Sequence, residues 1–142
     1  MNKGNVNDAR SYIRSSLALK SDYPDAYILL ARLESAAKNT SAAIASAEKV
    51  VALLPDNVGV QFELGILKYS AKDYQGAVNA LEKALKLSPD YANAKYYLAL
   101  SLTPLGRRDE ALMELQELKI TNPDSRELDA AIENLSKPAG KK

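Results

Sequence analysis

Two pairs of carboxylates, Glu110 with Glu114 and Asp129 with Glu133, are spaced four residues apart. That interval puts both members of a pair on one face of a helix. Paired carboxylates can act as general acid and base when their surroundings drive the two pKa values apart. Here both pairs lie in polar stretches and read as solvated helix faces. Ser15-Ser16 and Ser35 carry hydroxyls, but the chain has no His to activate them and no Cys nucleophile. The same absences remove the usual zinc ligands. No Gly-rich phosphate loop occurs, and Gly106-Arg107-Arg108 reads as a turn. Asn39-Thr40-Ser41 and Asn134-Leu135-Ser136 fit the glycosylation acceptor pattern, which is short enough to arise by chance. The expectation is a chain that is not an enzyme and needs neither cofactor nor metal.

Composition narrows the class further. The chain has 142 residues, 46% of them hydrophobic, which is enough for one globular domain. Nineteen basic and eighteen acidic residues leave a net charge of +1, without the basic excess of a nucleic-acid binder. No apolar run approaches the roughly 20 residues of a membrane span. The stretch that opens the chain, MNKGNVNDAR, lacks the apolar run of a signal peptide. A chain without Cys is compatible with reducing and oxidising compartments alike, so localisation stays open.

The elements that would position these side chains follow from a repeat. Pro-Asp occurs at 55–56, 89–90 and 123–124, so it returns after the same interval both times. When the chain is written in steps of that interval, Leu30, Leu64 and Leu98 share a column, and Ala31, Gly65 and Ala99 the next. Ala9, Ala43, Ala77 and Ala111 form another, as do Ile13, Ala47, Leu81 and Leu115. Val50, Ala84 and Leu118 follow. Each unit reads as two helices, as in Val58 to Ser70 and Gln75 to Leu87, separated by a polar turn. The small columns let helix backbones approach closely. Asp73 is placed to cap the second helix. Pro89 must stop that helix at Ser88, and Asp90 is placed to cap the next one. Pro104 should shorten or kink the first helix of the third unit.

This pattern resembles the tetratricopeptide repeat, a helix–turn–helix unit of the same length. Val58 to Tyr91 is the fullest copy, with Leu64, Gly65, Tyr74, Ala77, Leu81, Ala84 and Pro89 in the family's positions. The aromatic that usually opens the first helix is Tyr27 in one unit but Gln61 and Lys95 in the others. The resemblance implies an all-α, right-handed solenoid of about eight antiparallel helices. First helices would line its concave surface and second helices its convex one. The units expected are a half-repeat at 8–23, repeats at 24–57, 58–91 and 92–125, and a capping helix at 125–136. Residues 137–142 are expected to be a disordered tail. Gly4 matches a turn position, and Asp124 with Glu127 a capping box. Because the helix that should precede Asp8 has no counterpart, the chain is expected to begin inside a repeat of a longer protein.

The family's geometry also points to a groove. The outward stripe of the first helices runs through Asp25, Ile28, Arg32 and Ser35, then Gly59, Phe62, Ile66 and Tyr69, then Asn93, Tyr96, Leu100 and Thr103. The peptide-binding residues expected on it are Ile28, Arg32, Phe62, Ile66, Tyr69, Asn93, Tyr96 and Leu100. The apolar ones would form a continuous floor, with Arg32 and Asn93 as polar anchors. The clamp with which related domains hold chaperone tail carboxylates has its counterparts at Ile28, Arg32, Glu63, Asn93 and Tyr97. None of these agrees with it, and Glu63 would repel a carboxylate. The function expected is a non-catalytic scaffold for protein–protein interaction, binding an apolar peptide or helix. Two alternatives stand beside it. One is an assembly module that stacks on other repeats or self-associates through its N-terminal helix; the other is an accessory domain of a larger enzyme. Neither nucleic acid nor a membrane is an expected partner.

Overall fold

The computed structural model describes residues 3–138. Among the described residues there are eight α-helices, one 3-10 turn and no strand. In order they are α1 (Lys3–Leu19), α2 (Pro24–Ala36), α3 (Thr40–Leu53), α4 (Val58–Ser70), α5 (Tyr74–Leu87), α6 (Ala92–Leu102), α7 (Arg108–Thr121) and α8 (Arg126–Ser136). Each helix packs chiefly on its chain neighbours, and α4 also meets α6, which sets the first helices of the second and third units side by side. The expected tail falls, from residue 139 onward, outside the described residues.

The stop and start signals work largely as expected. α5 ends at Leu87, one residue before Ser88-Pro89, and Asp73 caps its start by accepting a hydrogen bond from the Gly76 N–H at 3.0 Å. Pro104 ends α6 early, and Thr103–Leu105 continues as the 3-10 turn. Three local expectations need correction. Gly4 lies inside α1, because no helix breaker follows it until the turn at Ser21-Asp22. The cap of α6 is Tyr91, without a side-chain hydrogen bond, so Asp90 stays in the turn. The cap of α8 is Ser125, whose hydroxyl accepts from the Leu128 N–H, one residue later than a box starting at Asp124.

A further periodic feature is conformational. Lys38, Lys72 and Gly106 all have positive φ, at 61°, 62° and 75°. They recur at the repeat interval and end the first helix of each unit. The turn between paired helices therefore demands a left-handed residue, and only the third unit supplies the glycine that adopts it without strain.

The core follows the columns. Ala43, Ala77 and Ala111 are fully buried, as are Leu81 and Leu115. Gly65 marks a close approach between helices: a Cβ placed there would stand 2.7 Å from the Cγ of Leu81. Gln61, at the usual aromatic position, is buried and donates from Nε2 to the Pro55 carbonyl at 2.9 Å, tying its helix to the preceding turn. Lys95, its counterpart, instead reaches Glu117 on α7.

The junctions between a second helix and the next first helix differ in chemistry. At α5–α6, Val78 and Leu102 are buried in the main core. Two units earlier, at α1–α2, the same columns hold Arg10 and Glu34. Arg10 donates from Nε and Nη2 to the two Glu34 oxygens at 2.6 and 2.9 Å, and Asn39 donates to Oε2 at 2.8 Å. Arg10 thereby holds the buried Glu34 carboxyl below its ordinary range. The sequence carries no sign of this ion pair, since an Arg and a Glu in separate helices share no pattern.

Candidate functional site

The exposed side of the first helices is built from the seams between them. One column, Leu29, Glu63, Tyr97 and Ala131, decides how well each seam is filled. At the α4–α6 seam Tyr97 fills it. Its ring lies 5.9 Å from Phe62, 5.8 Å from Tyr69 and 6.0 Å from Tyr96 by centroid, each edge-on. Tyr91 adds a contact to Phe62 at 4.8 Å, and Tyr74 one to Tyr69 at 5.8 Å. Edge-to-face geometry sets the positive rim of one ring against the negative face of the next.

The flanking seams are not filled. At α2–α4, Glu63 turns outward to Arg32, 3.3 Å away. A hollow of about 380 Å³ remains, lined by Ala31, Arg32, Ser35, Ala36, Ile66 and Leu67 among others. At α6–α8, Ala131 is too short to fill the space that Tyr97 fills one unit earlier. A hollow of about 460 Å³ remains there, walled by Tyr69, Tyr74, Leu100, Thr103, Asn134 and Leu135 among others. Nearby, Arg108 donates to the carbonyls of Asn134, Leu135 and Lys137, which satisfies the C-terminal end of α8.

The expected residues therefore divide. Arg32 and Ile66 line the first hollow, and Tyr69 and Leu100 the second. Phe62 and Tyr96 are half-buried in the aromatic cluster between them. Ile28 is half-buried and Asn93 exposed, and neither lines these hollows. The strip is thus two hollows on either side of an aromatic ridge, where an even floor was expected. Arg32 is less free than expected, since Glu63 shares its charge. Sequence reasoning missed Tyr91, Tyr97 and Tyr74 as the ridge. Comparing side-chain size down the column of Tyr97 would have located it.

Three of these four carboxylates are drawn to cations on the surface, while Glu114 is half-buried where a solvated face was expected. Glu110 binds Arg107 at 2.6 Å, Asp129 binds Lys119 at 2.6 Å and Glu133 binds Lys137 at 3.0 Å. Glu114 has its pKa pushed up, chiefly by burial and then by the charge of Glu117. No group of His, Cys, Asp and Glu suited to a metal ion occurs among the described residues, and none of their helices is long and apolar enough to cross a membrane.

Known proteins share this architecture. Residues 1–58 and 68–135 each match a tetratricopeptide repeat profile. No curated protein sequence matches the chain significantly. Among solved structures, MamA superposes with a TM-score of 0.83 at 22% identity, over 94% of this chain and 78% of that one. The Cut9–Hcn1 hetero-tetramer of the APC/C gives 0.75 at 22% identity, over 94% of this chain and 27% of that one. The OM64 TPR domain of Arabidopsis gives 0.73 at 15% identity, over 82% of this chain and 96% of that one. At these identities the likeness is one of fold.

Proposed function

The chain belongs to the tetratricopeptide repeat family, whose fold serves protein–protein interaction, and from this we propose that it is a non-catalytic scaffold holding an apolar peptide against its first helices. The observation that carries the reading is the pair of apolar hollows left on the first-helix face once the core is packed. Apolar surface that stays open beside a rigid aromatic ridge is what an anchored ligand needs, because few rotamers must freeze on binding. The middle of the strip, through Ile66, Tyr69, Tyr96 and Leu100, carries no charge. Affinity should accordingly depend little on salt. Arg32 and Asn93 give polar anchors at the margins.

The test starts from a displayed library of short peptides selected on the intact protein, followed by calorimetry on the enriched sequence. Leu100→Ser and Tyr96→Ala should each weaken binding by about 1 kcal/mol or more with folding retained. Phe62→Ala is a poorer probe, since its ring also supports Tyr91 and Tyr97. If no sequence is enriched, or both variants bind as the wild type does, the groove reading fails. Pairing of two copies through the α1 edge is the competing reading, motivated by the exposed Tyr12 and Leu19. Sedimentation over a concentration series separates the two.

A further inference from the structure

Inside the chain, α4 is seated against α5 and α6 at two defined points. Phe62 lies between Tyr91 and Tyr97, with centroids 4.8 and 5.9 Å away. Gly65 lies against Leu81, so close that a Cβ would stand 2.7 Å from its Cγ. The receiving residues belong to the next helices: Tyr91 caps α6, Tyr97 follows within it, and Leu81 is at the middle of α5.

The same receiving columns recur two units earlier, at the α1–α2 end, as Tyr23, Leu29 and Ile13. Tyr23 caps α2 as Tyr91 caps α6. Ile13 is buried, but Tyr23 is 42% exposed and Leu29 56% exposed. Beside them Tyr12 is 77% exposed, although its counterparts Ser46 and Ala80 are buried. Large apolar side chains grouped on one uncovered edge mark an interaction surface. The edge continues the stacking interface that the chain uses internally, which specifies what fits it.

We infer that the α1–α2 edge is a docking face for an amphipathic helix bearing an aromatic residue followed three positions later by glycine or alanine. The aromatic ring enters between Tyr23 and Leu29, as Phe62 enters between Tyr91 and Tyr97. The small residue permits the close approach over Ile13. The α8 helix of a second copy of this chain does not supply such a helix. α8 carries Ala130 and Glu133 in the columns of Phe62 and Gly65, and would set a carboxylate against Ile13. This surface is distinct from the groove and its test is independent of that reading.

The probe is a synthetic peptide of residues 57–71 of this chain, which contains Phe62 and Gly65, stapled so that it is helical alone. Titrated into the intact labelled protein, it should give saturable shifts of the Ile13, Tyr23 and Leu29 amides. Leu29→Glu in the protein should weaken binding at least tenfold, and Glu63 in the same column indicates that the fold tolerates this change. Phe62→Ala or Gly65→Leu in the peptide should do the same, while Leu100→Ser in the protein should have no effect. The inference is overturned by an absence of saturable shifts up to millimolar peptide, by equal binding of all variants, or by shifts confined to Ile66 and Leu100. It is also overturned if the protein alone forms a dimer that Leu29→Glu abolishes, because the edge then receives a second copy.

Discussion

Replacing Arg10 and Glu34 together, as Arg10→Val with Glu34→Leu, transplants the buried apolar residues of the third junction, Val78 and Leu102, to the first. The Glu34 side chain is 3% exposed and that of Arg10 21%, so the pair is largely removed from water. Removing only Arg10 leaves a dry carboxylate with the Asn39 amide as its one remaining side-chain donor. Breaking buried pairs in this way costs about 3–5 kcal/mol. Among its described residues, however, α1 has one buried apolar side chain, Ile13, worth about 1.5–3 kcal/mol. It should therefore release before the whole penalty is felt, and the loss for Arg10→Ala should level off near about 3 kcal/mol. The double replacement removes the desolvation cost of both charges and fills similar volume, so it should be neutral or stabilising by about 1–4 kcal/mol. Urea unfolding measures the total, and native-state hydrogen exchange of the α1 amides locates it. Unchanged α1 protection in Arg10→Ala, or a double variant that loses as much as the single one, would refute the argument.

Acid should release α1 first. Glu34 is held below its ordinary range, so its stabilisation is complete above the unfolded carboxyl pKa of about 4.3 and is lost as pH falls through the lowered value. Hydrogen exchange over a pH series should show α1 protection falling there, and Glu34→Gln should remove the step. Lys38→Gly and Lys72→Gly should each stabilise by about 0.5–1 kcal/mol, because relief of the left-handed strain outweighs the added flexibility of the unfolded chain. Matching urea midpoints for variant and wild type would show that the turns carry no strain. Ala77→Leu should cost about 1–3 kcal/mol by overpacking a fully buried site, read by the same unfolding curves, with no change counting against the repeat register.

What the sequence determined by itself was everything that one unit repeats. The constant interval, the small columns of Ala31, Gly65 and Ala99, and the stop before Pro89 are local or periodic properties. They follow from backbone chemistry at Pro and Gly and from the helical period, and each holds whatever its neighbours are. They were enough to anticipate eight helices and their order. The tertiary structure decided what happens where units meet. Whether a seam closes depends on the reach of one side chain: Tyr97 closes it, Ala131 leaves a hollow, and Glu63 swings out to Arg32. Arg10 and Glu34 became a buried pair only because two columns face each other across a junction. The left-handed turn likewise shows in sequence at Gly106, while Lys38 and Lys72 adopt it because the helices they join leave the backbone no other path. Such outcomes depend on pairs of side chains far apart in sequence, and a packed contact exists only once both helices are in place.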